Sequence, residues 1–148
     1  MSENKASRSV YGQTLRRLGE QMPDIVVLDA DMSKSTETSD FAKAFPTRFY
    51  DMGTAEQDML STATGMAASG FISFASTLAI FGTGRDWEQL RSSASLPELN
   101  VKLVATHGGI TVGKDGGSHQ SVEDLALTRV LPHLRVRLYR LTQSKHNR

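Results

Sequence analysis

Apolar residues in this chain fall into short runs that alternate with stretches of helical spacing. Short, mostly apolar runs are typical of strands that are covered on both faces of a sheet. The predicted strands cover residues 25–28, 49–52, 71–76 and 101–105, and a fifth strand is predicted to begin at 134–136.

Between the predicted strands, the apolar residues recur at helical intervals. In the first such stretch, Tyr11, Leu15, Leu18 and Met22 can share one face of a helix. Gly70 is expected to end the longest helix as a C-cap. The predicted helices cover residues 8–22, 39–45, 56–69, 83–91 and 121–129. This alternation predicts right-handed crossovers and a mostly parallel sheet between helix layers, which is a three-layer α/β/α fold.

Residues 51–59 hold the strongest candidate for chemistry. Gly53 can adopt backbone conformations that other residues avoid, so a tight turn is expected after the second strand. Thr54 is a suitable N-cap, and Gln57, three residues later, completes a capping-box pattern. Glu56 would then lie in the first helical turn at the carboxyl end of a strand, where ligands bind in open α/β sheets. A glutamate here could also serve only to complement the helix dipole.

Composition narrows the function classes. The 148 residues suit one domain, and 17 Lys+Arg against 16 Asp+Glu give a net charge of +1, which provides no argument for nucleic-acid or membrane binding. The absence of cysteine excludes disulfides and thiol catalysis and fits a reducing compartment. The polar N-terminus lacks a signal core and no apolar run approaches membrane-spanning length, so a cytoplasmic location is expected.

A glycine-containing stretch at residues 82–87 begins like a dinucleotide-binding fingerprint. Trp87 stands where the third glycine belongs, the stretch comes late in the chain, and no acidic residue follows a next strand. A nicotinamide cofactor is therefore not favoured.

Two histidines, His107 and His119, flank a glycine-rich loop. With Asp115 they could form a metal site, but the spacing is not a known ligand pattern, and a hydrogen-bonded pair of loop histidines is the simpler interpretation. The loop follows a predicted strand, as Asp31 and Glu56 do. These Asp, Glu and His side chains are therefore expected to converge on one edge of the sheet.

Three segments, residues 53–59, 76–81 and 106–120, occur in an order that points to a family. They resemble the pyrimidine-binding domain of transketolases, which are thiamine diphosphate enzymes of the pentose phosphate pathway. The resemblance runs from about Arg8 to Val136, is most specific in the last segment, and is strongest to the carboxy-terminal half of split transketolases. It implies the thiamine-diphosphate-binding fold and transfer of a two-carbon ketol unit between sugar phosphates.

The resemblance also implies roles at the cofactor. Glu56 matches the glutamate that hydrogen-bonds N1′ of the aminopyrimidine and favours the imino tautomer, whose 4′ nitrogen can take the proton from thiazolium C2. Phe81 matches the aromatic residue that stacks on the pyrimidine, although it could simply belong to the core, and Asp31 matches an acidic residue near the thiazolium. Leu78 and Gly84 replace aromatic residues of some transketolases, so a less aromatic ring pocket is expected.

Further matches concern the sugar phosphate. The resemblance implies that His107, Asp115 and His119 hydrogen-bond the sugar hydroxyls, Asp115 being linked to their stereochemistry. Both histidines thereby join the glutamate as catalytic candidates. Ser35 and Arg8 match residues that hold the phosphate, and an ordinary solvated surface is the alternative for these two.

The second half of a transketolase site is not found in this sequence. Family members hold the cofactor diphosphate and Mg²⁺ on another domain through a Gly-Asp-Gly motif followed by Asn, and no such motif is present here. No metal ligand is therefore assigned to this chain. The resemblance implies an amino-terminal partner subunit that holds the diphosphate and Mg²⁺, self-association as in other family members, and no activity for this chain alone.

The last residues depart from the family. After Val136 the family continues with a strand and Pro-Ala-Asp, whereas residues 137–148 are basic. Plausible codons for them, read two bases later, yield Ser-Ile-Pro-Ala-Asp, which suggests a frameshift, natural or cloning-derived. A native disordered tail is the alternative. The expected division is thus a domain at 1–136 and an atypical tail at 137–148, with a shortened edge strand that invites association.

Two other functions stay open. One is a related thiamine enzyme that makes deoxyxylulose phosphate, although its loop usually differs around the first histidine. The other is a non-catalytic remnant, which the missing third family domain favours. Retention of Glu56, His107, Asp115 and His119 argues against long decay.

Overall fold

The structure, a computed structural model, describes residues 6–139. Its helices are α1 (Ser7–Gln21), α2 (Ser33–Thr36), α3 (Ser39–Ala44), α4 (Glu56–Ala68), α5 (Trp87–Gln89) and α6 (Asp124–Arg129). Its strands are β1 (Ile25–Asp29), β2 (Phe49–Asp51), β3 (Ile72–Leu78) and β4 (Val101–Thr106). π-helical turns at Phe81–Arg85 and Leu90–Ser95 flank α5, and 3₁₀ turns cover Pro46–Arg48 and Gly117–His119.

The strands form one parallel sheet in the order β2-β1-β3-β4. Leu28 of β1 is paired with Tyr50 on one side and Ala75 on the other, and Ser76 is paired with Val104. Helices connect the successive strands, as a parallel sheet requires. The predicted α/β class with a parallel sheet is confirmed.

Each face of the sheet has its own core because successive side chains of a strand point to opposite faces. One cluster joins β1 and β3 to α4 and the second π-helical turn through Val26, Leu28, Met59, Leu60, Ala63, Ala75 and Leu90. The other joins β1 to α1 and α3 through Leu15, Ile25, Val27 and Phe41. Helices therefore cover both faces, and the three-layer arrangement follows.

The start of α4 differs from the sequence prediction. Ala55, not Thr54, is the N-cap residue, and no side chain caps the helix. Gly53 adopts a positive φ of 68°, and its carbonyl accepts a 2.7 Å hydrogen bond from the Ala55 amide. This tight turn takes up Thr54, so the predicted capping box with Gln57 does not form. Gln57 Nε2 instead donates to the Arg85 carbonyl at 3.1 Å.

The end of α4 follows the prediction. Gly70 has a φ of 98°, and its amide donates to the Ala67 carbonyl at 3.1 Å. The Phe71 amide donates to the Met66 carbonyl at 3.1 Å. These two bonds form a Schellman motif, which satisfies helix carbonyls and favours glycine at the left-handed position.

Two further segments were not predicted correctly. The helix expected at residues 83–91 is a short α-turn between the π-helical turns, and this helical segment continues to Ser95. Residues 33–36 lie between the predicted elements and read from sequence as a polar loop, but they form α2. Thr36 is buried there with its hydroxyl bonded to Asp29, a polar stabilisation that apolar periodicity does not reveal.

The predicted fifth strand at 134–136 is wrong for the part of the chain that the structure describes. Residues 134–139 pair with no strand there, and β4 is the edge of the sheet. Leu134 packs against the first core cluster, whereas Val136 and Leu138 are 39% and 80% exposed. Pairing of this segment with the edge strand β4 would therefore bury little apolar surface. Of the predicted tail, residues 140–148 lie outside the described range.

Candidate active site

The predicted site residues lie on loops at one edge of the sheet. Asp31 follows β1, Glu56 begins α4 after β2, Phe81 comes after β3, and His107 directly follows β4. Because all four strands are parallel, their carboxyl ends meet at the same edge. The structure places these residues at the edge that the sequence predicts. Their chemical roles remain predictions.

Glu56 is buried, with a side chain that is 3% exposed. Its Oε2 accepts a hydrogen bond of 2.6 Å from Nη1 of Arg85, whose side chain is 46% exposed. A carboxylate removed from water needs such a partner, and the first turn of α4 adds a favourable field. Complementing the helix dipole alone would not require this burial, so Glu56 belongs to the interior of the domain rather than to its surface.

Arg85 connects Glu56 to two further site residues. Its guanidinium carbon lies 4.4 Å from the centre of the Phe81 ring. The Phe81 ring in turn meets the His119 ring edge-on, with centroids 5.2 Å apart at 79°. Sequence reasoning missed Arg85, although it stands in the stretch considered as a dinucleotide fingerprint. The result is a continuous row of Glu56, Arg85, Phe81 and His119.

Asp86 is a second buried carboxyl beside this row. The residue is fully buried, and neither carboxyl oxygen has a hydrogen-bond partner among residues 6–139. Burial raises the pKa of Asp86 to about 8; the residue's own backbone amide and the charge of Arg85 oppose the rise, and the negative charge of Glu56 adds to it. Asp86 is therefore mostly protonated at neutral pH. No periodic or motif signal in the sequence marks it.

His107 is held by two hydrogen bonds. Arg8 Nη1 lies 2.9 Å from Nε2, and Thr106 Oγ1 lies 2.8 Å from Nδ1. Arginine can only donate, so Nε2 is the acceptor and Nδ1 carries the proton that it donates to Thr106. Burial and the nearby Arg8 charge lower the pKa of His107, while Asp115 acts in the opposite direction. The imidazole is thus neutral and fixed in one tautomer.

Asp31 is positioned by the carboxylate of Asp51. The Asp31 amide donates to Asp51 Oδ1 at 3.0 Å, and the Gly53 amide donates to the same oxygen at 3.1 Å. Asp31 has a positive φ of 59°, a conformation that Asp tolerates better than most residues. One side chain therefore holds together the loop after β1 and the turn before α4.

The loop that carries Ser35 is organised by Asp29. This buried carboxylate accepts from Thr36 Oγ1 at 2.7 Å, Thr38 Oγ1 at 2.9 Å and the Met32 amide at 2.6 Å. Burial raises the pKa of Asp29, and these hydrogen bonds oppose the rise. A cavity of about 330 Å³ lies on this loop, lined by Asp31, Met32, Ser33, Lys34 and Ser35. Ser35 and Asp31 are thus brought together around this cavity.

The glycine-rich loop is closed at its base, where the Gly109 amide donates to the Ser121 carbonyl at 2.7 Å. Asp115 is exposed and interacts with His107 only through its charge. The expected hydrogen bond between the two histidines is not found, because His107 is bonded to Arg8 and Thr106 while His119 is bonded to Ser118. Across residues 6–139, no cluster of three His, Asp or Glu side chains is placed to hold a metal.

Comparison with known proteins decides the family. Residues 3–138 match the family described as transketolase, pyrimidine binding domain. The chain belongs to this family. It is 52% identical over 130 residues to a Methanocaldococcus jannaschii protein described as a transketolase C-terminal section, covering 88% of this chain and 41% of that protein. Human transketolase is 41% identical over 128 residues, covering 86% of this chain and 20% of the enzyme.

Solved structures of transketolases have the same fold. A split-gene transketolase, described as an inactive β4 tetramer, superposes with a TM-score of 0.76 and 55% identity, covering 88% of this chain and 41% of that chain. A Pichia stipitis transketolase in complex with sedoheptulose 7-phosphate superposes with a TM-score of 0.79 and 27% identity, covering 88% and 21%. The family resemblance and the thiamine-diphosphate-binding fold are therefore confirmed.

The chain spans 41% or less of the length of these relatives. In the part of the chain that the structure describes, no helix has the length and apolar character to cross a membrane.

Proposed function

We propose that this chain is the pyrimidine-binding subunit of a split, thiamine-diphosphate-dependent transketolase, which transfers a two-carbon ketol unit between sugar phosphates in the cytoplasm. The observation that carries the proposal is that one side chain, Arg85, contacts both the buried carboxylate of Glu56 and the ring of Phe81 at the carboxyl ends of the strands. We propose a pyrimidine-binding domain at 1–136 and an atypical tail at 137–148; the family match covers residues 3–138.

The residues present fit the pyrimidine half of the cofactor. A planar group with N–H donors, the guanidinium of Arg85, already lies against both Glu56 and the Phe81 ring. These two side chains can therefore contact one flat, nitrogen-bearing ligand. Thiamine diphosphate, held at its pyrimidine by Glu56 and Phe81, would supply the nucleophile that ketol transfer requires.

The residues of this chain would bind and orient the reactants. Glu56 would hold a proton at N1′ of the pyrimidine, since a carboxyl group in a dry site is suited to proton sharing. His107, fixed as the Nδ1–H tautomer, and His119 would face the sugar hydroxyls with Asp115. Ser35 and Arg8 would meet the sugar phosphate, and Asp31 would lie near the thiazolium.

We propose that the diphosphate and Mg²⁺ are bound by another chain. Residues 6–139 contain no carboxylate cluster suited to a metal, and the sequence has no Gly-Asp-Gly motif. We assign both groups to an amino-terminal partner subunit. The structural relative described as an inactive β4 tetramer supports self-association and lack of activity without that partner.

Reconstitution tests this function. The full chain is mixed with the amino-terminal subunit, thiamine diphosphate and Mg²⁺, and ketol transfer between sugar phosphates is measured without pyruvate. We expect activity only in the complex, and Glu56→Gln should lower kcat by about 10²- to 10⁴-fold. Glu20→Gln, at an exposed position of α1, is the matched control and should retain activity.

The outcomes separate the functions left open by the sequence. A well-folded complex that binds the cofactor but requires pyruvate would indicate the deoxyxylulose-phosphate reaction. A folded complex that binds no thiamine diphosphate would indicate a non-catalytic remnant.

A further inference from the structure

Arg85 is held in a defined position against the candidate pyrimidine site. Nη1 donates to Glu56 Oε2 at 2.6 Å, and the guanidinium carbon lies 4.4 Å from the centre of the Phe81 ring. Gln57 Nε2 donates to the Arg85 carbonyl at 3.1 Å, which ties the backbone of this residue to the first turn of α4. A planar cation thus bridges a buried carboxylate and an aromatic face.

These contacts are the ones that the proposed function assigns to the aminopyrimidine ring. Both groups are planar, present nitrogen to a carboxylate, and stack on an aromatic ring. Phe81 has one face toward the guanidinium, while the His119 ring meets it edge-on. The guanidinium and the pyrimidine would therefore compete for the carboxylate of Glu56 and the ring of Phe81.

We propose that Arg85 is an internal ligand of the pyrimidine site, which thiamine diphosphate displaces when it binds. This inference rests on the proposed function. Arg85 keeps the buried carboxylate of Glu56 paired in the cofactor-free subunit, because a buried charge is less favourable without a hydrogen-bond partner. The Arg85 side chain is 46% exposed and has a long flexible stem, so it has a path from Glu56 into solvent.

The competition has a modest expected size. An ion pair with one half-exposed partner contributes little in water. Because the cofactor must break this pair to bind, the pair should weaken cofactor binding by only about fivefold. The same pair would make the site selective, since a ligand must replace both the hydrogen bond to Glu56 and the contact with Phe81. A ligand that replaces only one of them would not displace Arg85.

The test is calorimetric titration of thiamine diphosphate and Mg²⁺ into the complex of the full chain with the amino-terminal subunit. Arg85→Met keeps an apolar stem over Phe81 and removes the guanidinium. We therefore expect the Kd of the variant complex for thiamine diphosphate to be about fivefold lower than that of the unmodified complex. Arg85→Lys keeps a charge beside Glu56 without the planar group. Its Kd for thiamine diphosphate should lie between the values for Arg85→Met and the unmodified chain. Arg91→Met, at an exposed position in the next π-helical turn, should leave the Kd unchanged.

A double variant isolates the contact with Glu56. In a Glu56→Gln background, Arg85→Met should change the Kd by less than about twofold, because the carboxylate for which the two groups compete is gone. Thermal unfolding of each complex confirms that the variants are folded. If the unmodified complex binds the cofactor and the folded Arg85→Met complex binds it no more tightly, the inference alone is overturned. An assembled complex that binds no cofactor overturns the proposed function, and this inference with it.

Discussion

Arg8 and His107 lie 99 positions apart in the chain, yet Arg8 Nη1 donates a 2.9 Å hydrogen bond to Nε2 of His107. Arg8 Nε is also 3.9 Å from Glu37. The first helical turn of α1 is thereby connected to the loop after β4. The residue that the resemblance assigns to the sugar phosphate therefore also determines the tautomer of a neighbouring catalytic candidate.

Removing the charge of Arg8 is expected to raise the pKa of His107. Arg8 disfavours the imidazolium, whereas Asp115 favours it, so Arg8→Ala should raise this pKa and Asp115→Asn should lower it further. NMR titration of the His107 ring protons measures both shifts. Arg17→Ala, an exposed substitution on the same helix, is the control, and identical titration curves for Arg8→Ala and the unmodified chain would contradict the contact.

Asp86 should make the protein less stable as the pH rises. The carboxyl ionises near 3.8 in its ordinary state and near 8 when buried, so between these values the folded state holds the extra proton and stability falls with increasing pH. Asp86→Asn should remove this slope and stabilise the fold above pH 8 by up to roughly 5 kcal/mol. Urea unfolding across this pH range checks it, with the exposed Asp58→Asn as control. An unchanged slope in Asp86→Asn would show that another group is responsible.

Thr38 should be important for the loop that carries Asp31 and Ser35. Thr38→Val removes the 2.9 Å hydrogen bond to buried Asp29 without changing the shape of the side chain. We expect a loss of about 1–3 kcal/mol in the free energy of unfolding and a further rise in the pKa of Asp29. Thr47→Val at an exposed position should change stability by less than about 0.5 kcal/mol. Equal effects of the two substitutions would argue against the Asp29 network.

Two glycine substitutions should have opposite effects. A Cβ at Gly19 would lie 2.6 Å from Phe41 and 2.7 Å from Phe45, so Gly19→Ala should destabilise the fold by about 1–3 kcal/mol. Gly65 is an exposed position within α4, and a methyl group added there would have no neighbour within 4 Å, so Gly65→Ala should stabilise the fold by about 0.5–1 kcal/mol. Thermal denaturation of both variants measures this, and destabilisation by Gly65→Ala would contradict the open surface of α4.

Several features could be predicted from local sequence alone. β1 appeared as an apolar run because its side chains are buried on both faces of the sheet. Gly53 and Gly70 were recognised because a positive φ favours glycine. Where the apolar pattern and the burial agree, as in β1 and α4, the predicted elements lie within one or two residues of the observed ones.

Other features required the tertiary structure. The prediction of a fifth strand was wrong because a strand requires a neighbouring strand to pair with and burial of its side chains. Val136 and Leu138 stay exposed. The capping box failed because the turn at Gly53 moved the helix start beyond Thr54.

The sequence alone was enough to locate the four strands, to recognise the family and to select the candidates Glu56, Phe81, His107 and His119. Only the tertiary structure showed that Arg85 is paired with Glu56, that Asp86 is buried without a partner among the described residues, and that Arg8 donates to His107. The reason is the distance along the chain over which each interaction acts. Backbone conformation and amphipathic spacing are set by neighbours along the chain, whereas charge pairing and desolvation depend on which distant side chains the fold brings within a few ångströms.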